Sequence, residues 1–163
     1  MPSVYVETTI PSYLAARPSK DALVAERQRL THQWWARARQ TCTLFISQAV
    51  VDEINDGDPS QAVRRNAIVQ SIRVLNTTAE TNALTVFYLS KLNLGSRGLD
   101  DIPHFAFAVA YKMDFLVTWN CKHISNIATI KRLTALNREA ALHTPKIVTP
   151  EEFLLEPMFN KEC

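Results

Sequence analysis

The chain has 163 residues, 47% of them hydrophobic and 21% charged, with only three glycines and eight prolines, a composition that suits one folded domain and excludes global disorder and low-complexity architectures. Its net charge of +2 does not by itself call for a polyanionic partner, and no apolar run approaches the ~20 residues that cross a bilayer. Cys42, Cys121 and Cys163 are too few and too scattered for a disulfide framework, which fits a reducing cytoplasm, and the opening MPSVYVETTI lacks the basic start and long apolar run of a signal peptide.

The first element is SVYVE, residues 3 to 7, rich in β-branched and aromatic residues and apolar on both faces until Glu7, as a strand covered by helices on both sides should be. TTIPSYLAA follows as a turn and short helix. The segment from Ser19 to Gln40 reads as a long helix, with Leu23, Leu30, Trp34 and Ala38 at helix-compatible spacing and Ser19 as its cap. Between Arg17 and Arg39, six basic residues stand against Asp21 and Glu26. That surplus is either a solvated helix face or a surface that steers a polyanion. Trp34 and Trp35 on the same helix serve the core and an interface, or stack on RNA bases.

TLFIS is a second strand, followed by a helix capped by Ser47 and closed near Gly57; Asp58-Pro59 opens another. IRVLN is a third strand, and Thr77 or Thr78 caps the amphipathic helix after it. GSRGLDD reads as a loop. The helix beginning at Asp101 tolerates Pro103 in its first turn, with Ile102, Phe105, Ala106, Val109 and Met113 as its core stripe and His104 on the face of Asp101. FLVTW is a fourth strand, HISNIATIKRLTALNREAA a helix, and KIVTPEEFL a short fifth strand and a helix opened by Thr149. Alternating strands and helices predict an α/β fold, a parallel sheet sandwiched by helices. The domain is expected to span residues 1–156, with 157–163 as a C-terminal tail.

In such sheets ligands bind beyond the carboxyl ends of the strands, where strand order reverses. Glu7 and Asn120 end the first and fourth strands. Glu53 lies in the helix after the second, and Asp101 opens the helix leading to the fourth. If the first and fourth strands are neighbours, these four can converge. Phosphodiester hydrolysis develops charge on the attacking, phosphoryl and leaving oxygens, and divalent cations stabilise it. Mg²⁺ takes oxygen ligands and keeps several waters, so a few carboxylates without thiolates suit it. Thr8, Thr9 and Thr118 are placed to orient carboxylates by hydrogen bonding. His104 touches the site or bonds a neighbour; Lys122 and His123 contact phosphate or are surface cations at the start of a helix. Each carboxylate has an ordinary role to weigh: Asp101 as a helix cap, Glu53 as a solvated helix residue, Glu7 as the partner of a buried arginine. Asn120 has one too, as a turn residue.

The segments VYVETTIPSYL, FISQAVVDEI, DDIPHFAFAVAYKMDFLVTWNCKHI and IVTPEEFL, in this order over nearly the whole chain, resemble the PIN-domain family, in particular bacterial VapC-like toxins. The resemblance implies a three-layer α/β/α sandwich around a five-stranded parallel sheet. It also implies Mg²⁺- or Mn²⁺-dependent endoribonuclease activity, as the toxin of a type II toxin–antitoxin pair with RNA as substrate, a small antitoxin protein as partner, and homodimerisation. The family's acidic positions fall on Glu7, where aspartate is usual, Glu53 and Asp101, the metal ligands; the fourth falls on Asn120, often aspartate in the family. The alternative is a degenerate PIN-like module that binds RNA or a protein. A phospho-receiver is disfavoured, because the third strand ends at Asn76 where an acceptor aspartate would stand.

Overall fold

The computed structural model describes residues 1–159. Five parallel strands form one sheet: β1 (Ser3–Val6), β2 (Thr43–Ser47), β3 (Arg73–Leu75), β4 (Phe115–Val117) and β5 (Lys146–Val148), in the order β3-β2-β1-β4-β5. The chain steps outward from β1 to β2 and β3, then crosses to the other side of β1 for β4 and β5. Strand order therefore reverses between β1 and β4, and a crevice opens beyond their carboxyl ends.

Consecutive residues of a strand point to opposite faces, and Val4, Tyr5 and Val6 are all fully buried, so helices cover both faces of β1. On one face Phe115, paired with Val4, meets Phe153 with ring centroids 4.5 Å apart. Phe153 belongs to α8 (Pro150–Leu154) and in turn meets Trp34 of α2 (Ala22–Thr41). On the other face Tyr5 lies edge-on to His104 of α6 (Ile102–Ala110). Burying each such large side chain stabilises the fold by roughly 2 kcal/mol.

The remaining helices are α1 (Thr9–Ala15), α3 (Gln48–Ile54), α4 (Pro59–Val69), α5 (Ala79–Lys91) and α7 (Ile127–Glu139). Except for α1, their starts are set by side-chain hydrogen bonds. Ser47 caps α3 and Asp58 caps α4, with Pro59 in its first turn. Thr78 forms a reciprocal capping box with Thr81, and Thr149 does so with Glu152.

Four local expectations change. Asp21, not Ser19, caps α2 through Val24 N–H at 2.9 Å, while the Ser19 hydroxyl accepts from the Asp21 N–H. Leu23, two residues past that cap, is 65% exposed, because the buried stripe of α2 begins at Gln28. The segment read as a loop holds a 3-10 helix, Ser96–Asp101. A Cβ on its Gly98 would sit 2.5 Å from the Leu94 Cβ, so only glycine lets this turn pack down ahead of α6. Finally, α7 begins at Ile127 rather than His123, since the Asn126 side chain accepts from the N–H groups of Ala128 and Thr129. Of the segment expected as a tail, Phe159 packs on Phe153 at 5.0 Å, and residues 160–163 lie outside the described residues.

Candidate metal centre

Glu7 is the residue after β1. Its N–H extends the sheet to the Val117 carbonyl at 3.1 Å, which pins its backbone at the β1–β4 crevice. The side chain is only 3% exposed. Three donors hold one carboxylate oxygen, Oε2: the Thr9 N–H at 3.1 Å, the Thr9 hydroxyl at 2.5 Å and the Thr118 hydroxyl at 2.7 Å. The second oxygen takes none of them. Each threonine hydroxyl also accepts from the backbone after β4: Thr9 from the Trp119 N–H, Thr118 from the Asn120 N–H, both at 2.9 Å. No arginine or lysine pairs with Glu7 among the described residues.

Glu53 reaches the crevice from α3. Its Oε1 lies 2.7 Å from His104 Nε2, and its side chain keeps 38% of its exposure. His104 is fully buried. Its Nδ1 lies 2.7 Å from the Tyr5 hydroxyl, which lies 2.7 Å from the Ser47 hydroxyl. Burial alone would lower the His104 pKa, but the Glu53 hydrogen bond and the charges of Glu7, Glu53 and Asp101 together raise it above the ordinary value. Burial, reinforced by the Glu7 and Glu53 charges, pushes the Tyr5 hydroxyl pKa well up, so Tyr5 keeps its proton.

Glu7, Glu53 and His104 each offer one ligand atom within 4.8 Å of the other two. Asp101 is not in this triplet. It ends the 3-10 turn, caps α6 by position, and its Oδ2 lies 3.0 Å from His123 Nδ1. Burial raises its carboxyl pKa, against the pull of His104, His123 and Asn120. The Asn120 side-chain oxygen accepts from the His123 N–H at 3.0 Å, so Asn120 sets the turn that brings His123 to Asp101. Thr8 follows Glu7 directly, and its hydroxyl is buried with no hydrogen-bond partner among the described residues. Lys122 is exposed. A cavity of about 590 Å³ opens beside Glu53, lined by Asp52, Asp56, Leu99, Asp100 and Pro103 among others.

The donor set suits a hard divalent cation. Two carboxylates converge without a thiolate, and one presents an oxygen outside its internal hydrogen bonds. Sequence reasoning placed His104 on a face opposite the core stripe of α6; here the helix is buried nearly all round, and His104 sits at the middle of the cluster. In the sequence Tyr5 reads only as a strand residue and Ser47 only as a helix cap. The available signal was a tyrosine two residues before Glu7 in an otherwise aliphatic strand, since a buried phenol needs a partner.

This architecture, a five-stranded parallel sheet between helices with an acidic crevice at its switch point, is the PIN-like fold of the VapC toxins. Solved structures that share it include the following three. The sarcin–ricin-loop-cleaving toxin VapC20 of Mycobacterium tuberculosis aligns with a TM-score of 0.54 at 20% identity, over 69% of this chain and 86% of its own. VapBC2 of Rickettsia felis, solved with a promoter DNA fragment, gives 0.57 at 13% identity, over 90% and 98%. VapBC-1 of nontypeable Haemophilus influenzae gives 0.56 at 15% identity, over 91% and 98%. No sequence-family model matches the chain, and no curated protein matches it in sequence.

Proposed function

We propose that the protein is a Mg²⁺- or Mn²⁺-dependent endoribonuclease acting as the toxin of a toxin–antitoxin pair. The observation that carries this reading is the Glu7 carboxylate: buried, held by three donors on one oxygen, and close to Glu53 with no lysine or arginine paired to it among the described residues. A buried unpaired carboxylate is costly, and a divalent cation removes that cost. Such a cation, when bound, stabilises charge on phosphoryl oxygens and makes water more acidic.

Glu7 and Glu53 hold the cation, and Asp101 adds the third negative charge of the set. Thr9 and Thr118 fix the orientation of Glu7. Asn120 holds the turn that carries His123, and His123 and Lys122 face the negative charge of an RNA backbone at the rim. The partner is a small antitoxin protein, a reading supported by the VapBC structures that share the fold, and the toxin itself is a homodimer. No helix among the described residues is long and apolar enough to cross a membrane, and a cytoplasmic enzyme fits this reading.

The test is cleavage of a structured RNA by the purified protein with Mg²⁺, Mn²⁺ or chelator. Cleavage should require the metal and disappear in Glu7→Gln and Asp101→Ala proteins whose circular dichroism is unchanged. Full cleavage by Asp101→Ala would remove that residue from the machinery. Saturable Mn²⁺ binding with RNA binding but no cleavage would mark a non-catalytic module.

A further inference from the structure

We infer that His104, backed by Tyr5 and Ser47, is a positioning residue that aims the carboxylate of Glu53 at Glu7 without itself ligating the cation. The inference rests on the metal-centre reading above and adds to it a buried lever whose parts come from β1, β2 and α6.

The hydrogen bonds form one line with a consistent direction. Ser47 Oγ accepts from the Val50 N–H at 3.4 Å, so its own proton is available to the Tyr5 oxygen. The Tyr5 hydroxyl then donates to His104 Nδ1, and Nε2–H donates to Glu53 Oε1. A doubly protonated ring reverses the Tyr5 and Ser47 hydroxyls but leaves Nε2–H on Glu53. In either protonation state the imidazole therefore presents the same donor to the same oxygen.

Two further facts separate positioning from ligation. Both ring nitrogens are engaged at 2.7 Å and the ring is fully buried, so His104 would have to give up one of its present partners to ligate a cation. Glu53, by contrast, stands on a seven-residue helix with a side chain more than one-third exposed. Left alone, its three rotatable bonds would spread it into water. Glu7 needs no such device, since neighbouring threonines clamp it. Partners that orient a ligand typically govern metal affinity by 10–100-fold.

The experiment is Mn²⁺ titration calorimetry on full-length His104→Asn, His104→Gln, Tyr5→Phe, Glu53→Gln and the double variant His104→Asn/Glu53→Gln, with thermal melts alongside. The glutamine amide reaches the place of Nε2; the asparagine amide does not. His104→Asn should weaken Mn²⁺ about 10-fold or more, His104→Gln should restore most of the loss, and Tyr5→Phe should fall between. The double variant should bind no more weakly than Glu53→Gln alone, because His104 acts through Glu53. Additive losses, or wild-type affinity in His104→Asn, would overturn the inference. If asparagine prevents folding, Tyr5→Phe decides: weakened binding that disappears in a Glu53→Gln background supports the lever, and unchanged binding overturns it. If the wild-type protein takes up no Mn²⁺, the metal reading fails. The metal-free crystal structure of His104→Asn or Tyr5→Phe then decides the positioning claim: Glu53 turned to solvent upholds it, Glu53 unmoved refutes it.

Discussion

Thr118 donates its hydroxyl to Glu7 at 2.7 Å across the seam between β1 and β4. The two residues are 111 positions apart in sequence, and the parallel register that sets Val6 beside Val117 brings them together. Thr118→Val keeps the shape and removes the donor, leaving the Asn120 N–H without its acceptor. It should lower stability by about 1–3 kcal/mol and weaken Mn²⁺ about tenfold, while Thr118→Ser should retain both properties. Calorimetry and a denaturant melt on the two variants check this.

Asp101 should show a conflict between stability and function. Burial raises its pKa, so the metal-free folded state holds a proton at pH values where the unfolded chain has released it. Stability therefore falls as pH rises from the unfolded-state value through the raised folded-state value. Metal-free Asp101→Asn should melt at or above the wild-type temperature at neutral pH, and the difference should close in acid. Saturating Mn²⁺ should reverse the order, since only the wild type gains the full binding energy.

Asp114 titrates in the opposite sense. The Ser3 N–H at 2.8 Å and the Ser3 hydroxyl at 2.9 Å hold its pKa below the ordinary value, joining the starts of β1 and β4. This stabilisation is fully present above the unfolded-state pKa and is lost as pH falls through the depressed folded-state value. Asp114→Asn should cost about 1 kcal/mol or less at neutral pH, given its exposure, and nothing in strong acid. Melts across pH 2–7 read the convergence.

Asn120 is the neutral member of the set. Asn120→Asp keeps an acceptor for the His123 N–H and places a charge next to Asp101. The metal-free protein should lose stability through like-charge repulsion, and Mn²⁺ should bind about tenfold more tightly or better. Weaker or unchanged binding in calorimetry would show that charge at this position does not limit the site.

The sheet was legible because its strands advertise themselves. Tyr5, Phe45, Leu116 and Ile147 sit in short apolar runs separated by capped helices, and their alternation admits few topologies. Glu7 was legible for the opposite reason, as a charge at the end of a run with no polar neighbour before it. The role of His104 was hidden because α6 carries apolar residues on all sides, so periodicity cannot tell an inward histidine from an outward one. The Asp101–His123 pair depends on a glycine-bearing turn and on an asparagine-held turn, whose conformations come from packing rather than pattern. The cap of α2 moved to Asp21 because Ser19 hydrogen-bonds locally instead, a competition among adjacent polar residues that spacing alone does not rank.

The central claim is that Glu7 and Glu53 share one cation, and anomalous diffraction from Mn²⁺-soaked crystals tests it most directly. The account predicts a single strong peak within coordination distance, roughly 2.0–2.4 Å, of an oxygen from each of these carboxylates, and its loss in Glu7→Gln crystals. A crevice free of anomalous signal at millimolar Mn²⁺, or a peak that survives in Glu7→Gln, would contradict it.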